Sequence, residues 1–233
     1  QYDLERVVFT TGGGNQMLSE VVISNPKRFS AFAHHHPESE NAAAQLEQAI
    51  TEQSLSGYNI LAPTVQTQLA HNRFNELFEV CHKNRLPVLI HFGILGGAGG
   101  VVSGANMSPL ALAPVAQRFP RARFIVPHFG CGYTNDLLQV CWACPNVFVD
   151  TSGNNLWTKW TMESYTLEQL FAKFYETIGP RRIVFGSDSE WFPRGFALRY
   201  LLDQLRAVQS LNWHEEDIRL VFRENVLRLL ARR

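Results

Sequence analysis

The chain has 233 residues, 45% hydrophobic and 18% charged, an ordinary globular composition with enough length for one large domain. Lys plus Arg and Asp plus Glu both number 21, so the formal charge is zero and nothing advertises nucleic acid or an anionic membrane as a partner. No apolar run approaches the roughly 20 residues that a membrane span needs.

Taken in order, the elements alternate. Residues 5–12 (ERVVFTTG) read as a strand and 15–25 as a helix ended by Pro26. A strand over 28–34 (RFSAFAH) precedes an alanine-rich helix over 40–53, and a short strand over 57–63 precedes an amphipathic helix over 72–84. Next come a strand over 86–93 (LPVLIHFG), helix over most of 109–120, a strand over 122–130 (ARFIVPHFG) and a helix over 135–145. A strand over 146–153 (NVFVDTSG) is followed by a helix over 166–179, opened by a Thr166 and Gln169 capping box, and by a strand over 181–189 (RRIVFGSDS). The chain closes on helices over 197–210 and 212–233, the second capped by Asn212 with Glu215. Seven strands alternating with helices, several of them continuous apolar runs, predict parallel βα units in a single domain over 1–233.

In parallel α/β folds the chemistry gathers beyond the carboxyl ends of the strands. The strands here end in His34, His91, His128, Asp150 and Asp188. Imidazole and carboxylate together suit a borderline metal such as zinc. Of the run His34–His36, only His34 and His36 can share a side of an extended strand. Asp150 reads as a structural hydrogen-bond acceptor, and His71, His82 and His214 as surface residues. The glycine-rich stretch 93–100 lacks the Lys-Ser/Thr of a phosphate loop.

Four cysteines are present, with Cys141 and Cys144 as a C-x-x-C pair. No second pair accompanies them, so they read as small buried thiols. The lack of an even-spaced cysteine framework points to a reducing, cytoplasmic setting.

The succession VLIHFG, IVPHFG, NVFVDTSG, GSDS and a terminal ENVLRLL resembles the amidohydrolase-2 family, over nearly the whole chain. The resemblance implies a TIM-type (β/α)8 barrel and a divalent metal, zinc first and manganese or iron next. It implies His91 and Asp188 as metal ligands, His128 as a second ligand or as general acid/base, and Asp188 as the residue that positions or deprotonates water. Such a metal would lower the pKa of that water and polarise a substrate carbonyl. The family's first strand carries a His-x-His pair, and residues 5–12 match its second strand, so the barrel is incomplete at the N-terminus. The chain begins with Gln1 rather than Met, and the favoured expectation is a fragment of a longer protein.

Three functions compete at this stage. The first is a metal-dependent hydrolase of an amide, ester or lactone of a small organic acid. The second is a non-oxidative decarboxylase sharing the same rim. The third is a catalytically impaired barrel that serves as a binding or assembly module. Aromatic residues Trp157, Trp160, Tyr165 and Trp191 fall in loops after the last two strands, as a substrate wall or a homodimer contact. Arg194 is the candidate partner for a substrate carboxylate.

Overall fold

The computed structural model describes residues 4–93, 104–153, 155–189 and 195–231. Its strands are β1 (Val7–Phe9), β2 (Phe29–Ala33), β3 (Gly57–Leu61), β4 (Pro87–His91), β5 (Arg123–Val126), β6 (Val147–Asp150) and β7 (Ile183–Val184). Its helices are α1 (Gly14–Ser24), α2 (Ala42–Thr51), α3 (Asn75–Lys83), α4 (Ala113–Arg118), α5 (Thr134–Ala143), α6 (Leu167–Ile178), α7 (Leu198–Ser210), α8 (Glu215–Arg219) and α9 (Asn225–Leu230). The strands are parallel and pair in chain order from β1 to β7. This is a TIM-type α/β barrel lacking one strand, and among the described residues β1 and β7 are the edges of the sheet.

Side chains alternate across each strand, and both faces are buried. Tyr58, Ile60, Val88, Ile90, Phe124, Val126, Val147 and Val149 join the large core with the outer helices. Phe32, Leu89, Ile125 and Val184 form a separate inner cluster, with Val8 and Phe148 packed on it. That division explains why the strand sequences read as unbroken apolar runs.

Leu229 of α9 belongs to the inner cluster, and Val226 and Leu230 pack beside it. The last helix therefore fills the barrel interior at the end where β5 begins. Arg123, the first residue of β5, donates through Nη1 to the carbonyls of Arg228 at 2.9 Å and Leu229 at 3.2 Å. A cation there meets helix carbonyls that have no partner within the helix. Arg223 reaches Glu5, just before β1, as a double hydrogen-bonded ion pair across the two edges. Both side chains are half exposed, so the pair adds little stability.

The capping box forms: Gln169 N donates to Thr166 Oγ1 at 3.2 Å and Thr166 N donates to Gln169 Oε1 at 2.9 Å. The terminal helix forms too, running unbroken from α8 through a π turn over Leu220–Glu224 into α9. Asn212 does not cap it. Its backbone is left-handed, at φ 53, and its N–H closes α7 on the Gln209 carbonyl at 2.9 Å. Asparagine tolerates that region better than most residues, and the same feature that suggests a cap suits a helix stop. The four cysteines are buried, and none is in a disulfide with another described residue. Burial pushes the Cys141 thiol up to about 12 and raises that of Cys144, so the C-x-x-C pair is packing rather than a reactive dithiol.

Candidate active site

The period of two that builds the inner cluster also builds the mouth above it. Two residues beyond inward-facing Leu89 stands His91, two beyond Phe32 stands His34, and two beyond Phe148 stands Asp150. On β7 the same count from Val184 runs through Gly186 to Asp188. His128 arrives differently. β5 stops at Val126, and His128 and Phe129 turn in left-handed conformation, at φ 57 and φ 50. Asp188 is left-handed as well, at φ 49. Non-glycine residues held in this region cluster at functional sites.

The rings of His91 and His128 lie 5.3 Å apart between centroids. His128 Nδ1 lies 3.0 Å from both the carbonyl oxygen and the hydroxyl of Ser152. A carbonyl only accepts, so this contact favours the tautomer of the neutral ring that has the proton on Nδ1 and the lone pair on Nε2. Gly153, at φ 86, sits between the two halves of the mouth. A Cβ there would stand 3.2 Å from His128 Nδ1 and 3.4 Å from Asp188 Oδ2.

Burial is the main force that lowers the pKa of His91 from 6.5 to about 3, and the imidazoles of His128 and His34 add to it. His91 is therefore neutral at physiological pH. Its Nδ1 is shut off from solvent and has no hydrogen-bond partner among the described residues. The Ile60 carbonyl beside it raises its basicity without reaching hydrogen-bond geometry. Burial lifts the Asp150 carboxyl above its ordinary range, opposed by hydrogen bonds from Ser152 and by His128, while Asp188 pushes it further up.

The three consecutive histidines separate. His34 faces the mouth, where Asn59 Nδ2 donates to its Nδ1 at 3.1 Å, and burial lowers its pKa. His35 packs against the Tyr58 ring at 4.9 Å, with Nε2 3.0 Å from the Ala42 carbonyl. His36 is exposed.

A tight divalent-metal site takes three or four donors. His91 is chemically suited, being neutral and holding a buried ring nitrogen that none of the described residues satisfies. The full set falls short: among the described residues no three His, Cys, Asp or Glu side chains gather as a metal-holding group.

Trp157 is not part of an exposed wall. It is 7% exposed and packs into the large core, its indole N–H donating to Asn155 Oδ1 at 3.1 Å. That internal partner is what lets a large amphipathic ring leave solvent. Trp160 does stay outside, at 77% exposed, and Tyr165 is partly buried. Trp191, Arg194 and most of the glycine-rich stretch lie outside the described residues. A groove of about 520 Å³ begins at Gly153 and runs between the loop after β6 and α7, past Leu156, Tyr165, Arg199 and Arg206. Sequence reasoning missed Asn59, Ser152, Gly153 and Gly186, which matter through the histidines and aspartates they touch. The tetrapeptide Asp-Thr-Ser-Gly after an apolar strand was the available clue.

Comparison with known proteins follows from this geometry. The sequence profile described as amidohydrolase matches residues 1–232. No curated protein matches the sequence. Among solved structures, an amidohydrolase from Burkholderia multivorans is similar with a TM-score of 0.72 at 13% identity, over 97% of this chain and 83% of that one. The 5-carboxyvanillate decarboxylase of Sphingomonas paucimobilis is similar with a TM-score of 0.66 at 16% identity, over 97% and 79%. A dihydroxybenzoic acid decarboxylase from Polaromonas, solved with manganese and the inhibitor 2-nitroresorcinol, gives 0.65 at 18%, over 93% and 73%.

Proposed function

The chain belongs to the amidohydrolase-2 family, and on that footing we propose that it is a metal-dependent hydrolase of an amide, ester or lactone of a small organic acid. The observations that support this reading are the His91 and His128 rings 5.3 Å apart and the approach of His128 and Asp188 to Gly153, beyond the carboxyl ends of three strands. His128, with Nδ1 engaged by Ser152, offers Nε2 as the base that takes a proton from attacking water and returns it to the leaving group. His91 and Asp188 are the proposed donors to a divalent cation, zinc first and manganese or iron next. They are two donors where a tight centre takes three or four, so they hold it weakly. Trp191 and Arg194 are proposed to bind the substrate carboxylate. Exposed Trp160 and Met162, in the loop beside the groove, support self-association into a homodimer.

Decarboxylation is the second reading, supported by the likeness to the two decarboxylase structures. The test is a panel of carboxylate-bearing amides, esters and lactones, run beside hydroxylated aromatic acids, with zinc or manganese added or chelated. Hydrolysis without gas release, lost on chelation, supports the proposal. Carbon dioxide from the aromatic acids, with no hydrolysis, replaces it by the second reading. No turnover and no retained metal replaces both by a binding module.

A further inference from the structure

Asp150 sits on the inner face at the end of β6 and touches the mouth without lining it as His128 does. Its Oδ1 accepts the backbone N–H of Ser152 at 2.7 Å, and the Ser152 hydroxyl is near enough to oppose the rise of its pKa. Ser152 is buried and meets His128 Nδ1 through both its carbonyl and its hydroxyl, each at 3.0 Å. These contacts form a continuous chain: carboxylate, serine, imidazole.

The chain has a direction. When His128 Nδ1 bears the proton, the Ser152 carbonyl and hydroxyl oxygens both accept from it, and the hydroxyl proton is free to turn to Asp150. When Nδ1 is bare, the Ser152 carbonyl faces a lone pair and the hydroxyl must turn away from the carboxylate. Both features favour the first arrangement, which leaves the basic nitrogen at Nε2.

The surrounding fold holds this segment in place. A Cβ on Gly186 would collide with the Asp150 carboxylate and with Ser152 Cβ, so a glycine two residues past β7 makes the room that the carboxylate occupies. Gln204 of α7 is buried. It accepts from Thr151 Oγ1 at 2.6 Å and donates to the carbonyls of Thr151 and Gly186, both at 3.1 Å. The residue between Asp150 and Ser152 is thus clamped to the last strand and to a helix. An ordinary structural aspartate at a strand end would not need so specific a cradle.

We propose that Asp150 is a positioning residue that acts through Ser152 to keep His128 in its Nδ1–H form, with Nε2 as the working base. The proposal deepens the hydrolase reading and rests on it for the role of His128. Among the described residues the other titratable groups facing this chain are Asp188, beyond β7, and His91 from the end of β4.

The experiment is nitrogen-15 NMR of the histidine rings in the full chain, wild type against Asp150→Asn and Ser152→Ala, joined to steady-state kinetics on whichever substrate the panel identifies. Asp150→Asn keeps the size but puts a donor where an acceptor is needed, and Asp150→Glu is the conservative control. The expected result is a His128 ring protonated at Nδ1 in wild type, a shift toward the Nε2–H form in Asp150→Asn and Ser152→Ala, and recovery in Asp150→Glu. Turnover should fall by about 10–100-fold with KM little changed, as for other groups that orient a working ligand or base. A His128 tautomer unmoved in both variants overturns the proposal. Ser152→Ala removes only the hydroxyl, and it carries the test if Asp150→Asn fails to fold. The ring spectra are read without substrate, so a wild type with no hydrolytic activity sinks the hydrolase reading and leaves this result standing.

Discussion

His91 and His128 lie with ring centroids 5.3 Å apart, and among the described residues only His128 is engaged by a hydrogen-bond partner at Nδ1. Burial, with His128 and His34 adding to it, holds His91 neutral, its pKa lowered from 6.5 to about 3. In the unfolded chain His91 takes up a proton below about pH 6.5. In the folded chain it does so only near 3. The unfolded state therefore binds more protons in that window, and folding stability drops as pH falls through it. The limit for one such group is about 1.4 kcal/mol per pH unit. Denaturant melts from pH 7 to 4 should show a shallower acid loss in His91→Asn than in wild type. Equal slopes would mean that His91 is protonated in the folded chain.

Gly153→Ala should harm function more than fold. The position has φ 86, which an L side chain adopts only under strain, and the new methyl would stand 3.2 Å from His128 Nδ1. A stability loss of about 1–3 kcal/mol is expected from the backbone alone. The His128 ring must also shift, so activity should drop well beyond what the remaining folded fraction explains. Activity that merely tracks folded protein would show that the mouth tolerates the methyl.

Leu229 tests whether α9 is a structural plug. It is 3% exposed within the inner cluster, against Phe32, Leu89, Ile125 and Val184. Leu229→Ala should cost about 2–5 kcal/mol by urea melts, in the range of other buried leucines. A loss under about 1 kcal/mol would mean that the interior closes without the helix.

Glu38 offers a pH test away from the mouth. It accepts from the N–H groups of Gln66 and Thr67, each at 3.0 Å, and from Thr67 Oγ1 at 2.6 Å. Burial alone would raise its pKa, but these bonds, with His36 nearby, leave it below the ordinary 4.5. A carboxylate depressed in the folded state stabilises above its unfolded pKa, and that share is lost as pH falls through the folded one. The stability gap between wild type and Glu38→Gln should be full at pH 7 and should shrink toward pH 3. A gap that stays constant with pH would show that the carboxylate charge plays no part.

How much of this was legible beforehand follows from the range of the forces involved. The seven strands, the helices between them and the residues at the strand ends are written locally. A run such as VLIH states its own period, and parallel pairing with both faces covered follows from the lack of polar alternation. The capping box at Thr166 is equally local and is present as expected. The burial of Trp157 is not legible in its loop, because a distant core, not the neighbouring loop residues, supplies its packing.

Sequence alone determined that histidines and aspartates stand at the carboxyl ends of parallel strands, because side-chain alternation carries inward facing from one apolar residue to the second one after it. Tertiary structure alone decided what they do to each other. The His34–His36 run parts into a mouth residue, a packed residue and an exposed one because β3 offers Asn59 to the first and Tyr58 to the second, on opposite faces, and leaves the third to solvent. Asp150 changes from a strand-end acceptor into the start of a chain to His128 because Gly186 and Gln204, 36 and 54 positions away, make its cradle. Alternation is a property of one strand and is readable in it, whereas a cradle is a coincidence of several strands and exists only once they meet.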